Sequence, residues 1–153
     1  MKTLELKIPP VAVFLFILLC SYGFSQYVEF GGVELPLPTS LLLVGIIISA
    51  VIGLSGVWEF RKHKTTVNPT KPDGASTIVD SGVYGYTRNP MYLGLYILLF
   101  CIGYYFQNLV SMSFSFLFVT YINQFQIKPE EKTLEQLFGA SYVDYKQKVR
   151  RWI

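Results

Sequence analysis

Cysteine, histidine and charge are all scarce in this chain, and each shortage removes a class of function. Two cysteines among 153 residues, Cys20 and Cys101, both lie in apolar runs, which argues against a disulfide framework or a thiolate metal site. With one histidine, His63, and no CxxC or HExxH pattern, no protein-bound metal is expected. Charged residues make up only 15% of the chain, with a net charge of +3. Nothing in that balance supports nucleic-acid binding. Basic residues are missing from two particular places, the stretches around residues 25–36 and 107–108. Against these shortages, 52% of the residues are hydrophobic, too many for an ordinary soluble domain.

The apolar residues gather into four segments, roughly Ile8–Phe24, Leu37–Trp58, Met91–Phe106 and Leu109–Ile127. At 1.5 Å rise per residue, each is long enough, or nearly so, to cross a hydrocarbon core of about 30 Å. Only Gln107 and Asn108 separate the third from the fourth, so that pair reads as a tight hairpin. No small-residue cleavage site follows the first segment, and Leu19 before Cys20 does not suit a lipoprotein signal, so it reads as a retained helix. Four spans put both termini on one side with the loop from Glu59 to Asn89. All 13 lysines and arginines fall on that side, while the opposite loops carry Glu29 and Glu34. The positive-inside rule makes that side cytoplasmic.

The expected fold is therefore all-α: one polytopic membrane domain over residues 1–153, with about four transmembrane helices. Residues 1–58 would supply two N-terminal spans. Residues 59–153 would supply a loop, the hairpin and a cytoplasmic amphipathic helix at the C-terminus. In that last helix Leu134, Leu137, Phe138, Tyr142, Tyr145 and Val149 recur at three- and four-residue steps, with a break expected near Gly139. By itself such a helix reads as a membrane-surface anchor. Gly45, Ser49 and Gly53 form a small-residue stripe for close helix packing. Arg61–Lys64, which includes His63, reads as a juxtamembrane cluster facing anionic headgroups.

The most informative stretch is Ser81 to Gly94, where a glycine-containing loop runs into an apolar helix. Pro90 suits the first helical position, and Asn89 suits the N-cap, its side-chain oxygen accepting from free backbone amides. Those amides, the helix dipole and Arg88 favour an anion there. The hairpin returns the polar end of the fourth segment (Thr120, Asn123, Gln124, Gln126, then Glu130 and Glu131) to the same place. A pocket with Arg88 on one side and carboxylates on the other suits a zwitterionic ligand. Hydrogen bonding and helix capping alone account for the same residues.

Ser81-Gly-Val-Tyr84, Arg88-Asn-Pro-Met-Tyr-Leu-Gly94, Glu130-Glu131 and Leu137-Phe-Gly-x-x-Tyr142-x-x-Tyr145 with a basic end occur in that order. Together they resemble the isoprenylcysteine carboxyl methyltransferase and phospholipid methyltransferase superfamily, over roughly Phe60 to Ile153. The resemblance implies an S-adenosyl-L-methionine-dependent membrane methyltransferase, with the cofactor bound at the cytoplasmic face. It assigns Ser76, Thr77, Ile78, Val79, Tyr84, Asn89, Pro90, Met91, Tyr92 and Glu130 to cofactor binding. Arg88 and Gln126 are the candidates for orienting the acceptor, a lipophilic or small molecule reached through membrane lipid. Two residues depart from the family pattern. Asn89 stands where a histidine is usual, and Gln126 stands where the isoprenylcysteine enzymes place an arginine associated with the substrate carboxylate. Two rivals remain at this stage: a nicotinamide-dependent membrane reductase with a similar C-terminal signature, and a non-catalytic membrane subunit. Oligomeric state is open.

Overall fold

A computed structural model describes residues 4–65 and 72–153. Lys2, Lys71 and the middle of the loop from Thr65 to Ser81, all of which bear on the charge pattern above, lie outside the described residues. The order is α1 (Pro10–Tyr27), α2 (Pro38–Lys62), two short 3-10 turns (Pro72–Gly74 and Gly82–Gly85), α3 (Pro90–Tyr105), α4 (Leu109–Ile122), a π-helical turn (Asn123–Ile127), α5 (Lys128–Phe138) and α6 (Ala140–Lys148). Among the described residues there is no strand, only an isolated bridge between Gly32 and Asn108.

Proline opens α1, α2 and α3, at Pro10, Pro38 and Pro90. Its missing N–H has no intrahelical partner to lose there. α1 and α2 are long and apolar enough to cross a membrane, whereas α3 is a shorter apolar helix of 16 residues. Only 17% of the most apolar window of α2 is buried, and Leu43, Ile47, Val51, Leu54 and Trp58 stand exposed along it. A helix of that composition in a soluble core would hide those side chains; lipid is the solvent that suits them.

Small residues decide how the helices meet. α2 lies along α3, with the Ser49 hydroxyl donating to the Gly94 carbonyl at 2.7 Å. A Cβ on Gly94 would come within 2.9 Å of the Ser49 carbonyl oxygen, and one on Gly45 within 2.4 Å of the Cys101 sulfur. α3 meets α4 as closely, since a Cβ on Gly103 would sit 2.6 Å from Met112 Cα. α1 packs on α4, where Ser21 and Ser111 each donate to the other's carbonyl at 3.0 and 2.9 Å. Such reciprocal bonds satisfy polar groups that lipid cannot.

The α3–α4 hairpin turns on Gln107, in the left-handed region at φ 55°, and on Asn108. The Asn108 side chain accepts from Val110 and Ser111 amides, a true N-cap. The α1–α2 loop is laced to this turn: Leu109 N–H donates to Gly31, Val33 N–H to the Gln107 carbonyl, and Leu35 N–H to Gln107 Oε1. The candidate residues lie at the other end of the hairpin.

Candidate active site

α4 does not stop where its apolar run stops. It widens into the π turn and continues as α5, and Pro129 supplies the reason. A proline there cannot donate to the Phe125 carbonyl one turn back. The turn opens instead, with Lys128 N–H reaching the Asn123 carbonyl, and the stranded Phe125 oxygen accepts from Leu6 N–H at 3.0 Å. Widened turns of this kind cluster at functional sites. This one delivers Gln126, 2% exposed, and the half-buried Glu130 beside the start of α3.

There Glu130 Oε1 accepts from the Tyr92 hydroxyl and from Gln126 Nε2, both at 2.6 Å. Burial drives the Glu130 carboxyl up to about 7 from an ordinary value of 4.5, and the negative charge of Glu131 acts the same way. The two donors oppose that rise, because hydrogen bonds to the ionised form favour it.

A second cluster lies in the loop before α3. Glu59, near the end of α2, accepts from the Ser81 hydroxyl at 2.6 Å. Gly82 sits at φ +58°, and a Cβ there would meet the Glu59 carboxylate at 2.7 Å. Glycine is required on both counts. The turn that follows buries Tyr84, whose ring packs edge-on against Phe60 at 5.1 Å and whose carbonyl accepts from the Tyr145 hydroxyl at 2.8 Å. Tyr84, Arg88, Phe60, Ile78, Leu134 and Tyr142 line a cavity of about 70 Å³, with Ala75, Thr77, Val79 and Tyr145 completing the wall. The Tyr84 hydroxyl and Arg88 Nε are buried without a hydrogen-bond partner, and Arg88 Nη1, which makes no hydrogen bond either, is ion-paired with Glu131 at 3.0 Å. Unpaired buried donors are uncommon and costly. Desolvation raises the Tyr84, Tyr142 and Tyr145 phenols above their ordinary value, so all three act as neutral donors.

The sequence-predicted residues thus divide. Thr77, Ile78, Val79, Tyr84 and Arg88 share the cavity, and Tyr92, Gln126 and Glu130 share the carboxylate cluster. Glu130 also lies close enough to Tyr84 to oppose ionisation of its phenol. Ser76 is exposed, and its amide donates to Thr65 Oγ1. Pro90 and Met91 pack towards Gly56 of α2. Asn89 does occupy the N-cap position, but its side chain makes no capping bond. That expectation is corrected: Asn89 Nδ2 donates to the Arg151 carbonyl at 2.8 Å, so its side chain is turned towards the C-terminal tail and away from the helix amides. The apolar stripe of the C-terminal segment is also turned inward. Tyr142, Tyr145 and Val149 are buried with Ile78, Leu134 and Phe138, and that side faces protein where a surface anchor would face lipid.

Sequence reasoning passed over the tail itself. Arg88 N–H donates to the Arg150 carbonyl at 3.0 Å, Arg151 grips Glu131 with Nε and Nη2, and Trp152 Nε1 donates to Asn123 Oδ1 at 3.1 Å. The only sequence signal was a tryptophan and arginines beyond the amphipathic repeat. Among the described residues, no group of three or more His, Cys, Asp or Glu side chains is gathered as a metal site would need.

The geometry joins a buried carboxylate, unpaired donors and an apolar-walled cavity at one end of a helical hairpin. Comparison with known proteins supplies the family. An uncharacterized protein of Haemophilus influenzae is 44% identical over 63 residues, which are 41% of this chain and the whole of that protein. The protein-S-isoprenylcysteine O-methyltransferase of Saccharomyces cerevisiae is 37% identical over 82 residues, 52% of this chain and 34% of the yeast protein. The chain thus aligns with about a third of that enzyme's length. The phospholipid methyltransferase profile matches residues 39–141, a stretch that runs from the start of α2 through the hairpin, the carboxylate cluster and α5; the chain belongs to the phospholipid methyltransferase family.

Proposed function

We propose that this chain is an integral membrane methyltransferase that uses S-adenosyl-L-methionine at a cytoplasmic site and methylates a lipophilic or small acceptor. Four spans, from α1, α2 and the α3–α4 hairpin, then put both termini and the site on the side that holds the lysines and arginines. The family supplies the reaction class. The observation that carries the cofactor reading is that the Tyr84 hydroxyl and Arg88 Nε lie buried without a hydrogen bond on one apolar-walled cavity, beside the Arg88–Glu131 ion pair. A carboxylate matches those donors, an adenine ring matches the walls of Phe60, Ile78, Leu134 and Tyr142, and an ammonium matches ionised Glu130. At about 70 Å³ the cavity has room for a few water molecules only. An adenosyl group needs the 75–79 segment to move outward.

When bound, the cofactor supplies a sulfonium methyl that is already activated. What remains for the protein is alignment and exclusion of water, and alignment alone is worth up to about 7–11 kcal/mol. Tyr92 and Gln126 fix the Glu130 carboxylate from two sides, Tyr84 and Arg88 offer donors from the cavity wall, and the Ser81–Glu59 bond anchors the loop that carries Tyr84. Gln126 is neutral and engaged with Glu130, so this position offers no full positive charge to an anionic acceptor. That favours a neutral or amine-type acceptor over a prenylcysteine carboxylate.

Titration of detergent-purified protein with S-adenosylmethionine is expected to give saturable binding; none at millimolar concentration overturns the reading. Transfer of labelled methyl to phosphatidylethanolamine, a prenylated cysteine or a small hydrophobic thiol then identifies the acceptor.

A further inference from the structure

Glu131 is 7% exposed and has three cations around it. Arg151 takes both of its oxygens in a fork, Nε to Oε1 at 3.0 Å and Nη2 to Oε2 at 2.7 Å. Lys146 lies 3.9 Å from Oε2 and is also paired with Glu135. Arg88 Nη1 comes within 3.0 Å of Oε1, yet neither it nor Nε makes a hydrogen bond. A guanidinium beside a buried carboxylate ordinarily closes a two-bond fork. Here the fork is already taken, and Arg88, ion-paired with Glu131 through Nη1 and bonded to Tyr142, stays on the cavity wall with Nε and Nη1 making no hydrogen bond. The tail is fixed in that posture by its backbone, through Arg88 N–H to the Arg150 carbonyl and Asn89 Nδ2 to the Arg151 carbonyl.

We infer that Arg151 is a positioning residue: by occupying Glu131 it keeps the Arg88 guanidinium available to an anionic group in the cavity. This rests on the cofactor reading above, in which that group is the carboxylate of S-adenosylmethionine. Without Arg151, Glu131 is a buried charge with Arg88 as its nearest guanidinium. It keeps its ion pairs with Arg88 and Lys146 but loses its only two-bond partner, and a guanidinium meets a carboxylate best through a fork, so Arg88 swings into the vacant place and leaves the cavity.

The test compares two ligands, S-adenosylmethionine and decarboxylated S-adenosylmethionine, which keeps the sulfonium and the amine and lacks only the carboxylate. Wild-type protein should prefer the first by about ten- to a hundredfold, the range of a hydrogen bond between charged groups. Arg151→Ala should bring the two affinities within about threefold of each other. Adding Glu131→Gln removes the carboxylate that captures Arg88, so the double variant should regain the preference. If Arg151→Ala does not fold, Arg151→Lys, which leaves one Glu131 oxygen free, should give an intermediate ratio. A tail that merely braced the fold would weaken both ligands alike. An unchanged ratio in Arg151→Ala or Arg151→Lys therefore overturns the inference, as does a double variant that does not recover. Wild-type protein that binds neither ligand overturns the cofactor reading itself, whereas binding with an unaltered ratio overturns only the role of Arg151.

Discussion

The Tyr92–Glu130 bond offers a sharp test of the electrostatics, because two opposing effects set the Glu130 proton affinity and one of them can be removed. Burial raises the carboxyl to about 7, while the hydroxyl of Tyr92 and the amide of Gln126 hold it below where burial alone would leave it. Tyr92→Phe deletes one donor and keeps the ring. A hydrogen bond to a charged group contributes about 1.5–3 kcal/mol, and 1.36 kcal/mol corresponds to one pH unit, so the protonation midpoint should rise by about one to two pH units. Infrared difference spectra on glutamate-labelled protein read the protonated carboxyl directly, with Glu130→Gln identifying its band. The same shift enters stability. Between about 4.5 and about 7 the folded chain holds the proton more tightly than the unfolded chain, so the stabilisation is complete at the acid end and is lost as pH rises through 7. Tyr92→Phe should extend that falling limb to higher pH, and Glu130→Gln should abolish it. A midpoint that stays in place or falls in Tyr92→Phe, or a wild-type carboxyl that titrates near 4.5, refutes the argument.

Two further outcomes are expected. Tyr84→Phe removes a buried hydroxyl with no partner, so the melting temperature should hold or rise, while affinity for S-adenosylmethionine falls by about two- to tenfold in titration calorimetry. In the helix contacts, Gly94→Ala and Gly103→Ala force a methyl onto backbone atoms that cannot give way. Each should lose about 1–3 kcal/mol, seen as earlier thermal unfolding in detergent, whereas Gly23→Ala, with open space around it, should cost nothing.

The all-helical class was legible because proline and apolar run length act locally. Pro10, Pro38 and Pro90 mark helix starts through their own ring geometry, and the family lies in motifs readable in order along the chain. What the sequence concealed depends on partners far away. Pro129 stands in the first turn of α5, but its missing N–H also widens the turn before it, and the amide that rescues the stranded carbonyl belongs to Leu6. Asn89 carries the right side chain for a cap, and the intrinsic preference was overridden by the Arg151 carbonyl, 62 positions further on. Arg88 was read as a cation facing carboxylates across the hairpin end, and it does pair with Glu131; the competing guanidinium of Arg151 on the same carboxylate is what neither spacing nor composition identifies. The stripe from Leu134 to Val149 had the right period, but periodicity says that one face is apolar and not whether lipid or protein covers it.

The packing order of the helices has a consequence for how the chain is built. α1 rests on α4 and α3, and α2 rests on α3, while α1 and α2 share at most a marginal contact. α1 and α2, which precede the hairpin along the chain, therefore have little to hold on to in each other. In the four-span arrangement proposed above, each must persist alone in the bilayer until the later hairpin arrives, which is a task suited to the two helices with the length and apolarity to do it. α3 and α4, shorter and laced with glycine and serine, are joined by three residues, 106–108, and can be delivered as a unit. They act as the keystone: until the hairpin docks, Ser21 and Ser49 have no partners across the interface, and the stretch from Tyr84 to Glu130 has no frame to assemble on. Damage to the hairpin contacts should accordingly appear during biogenesis, as chains inserted but cleared by quality control, before it appears as weakened binding in any protein that survives.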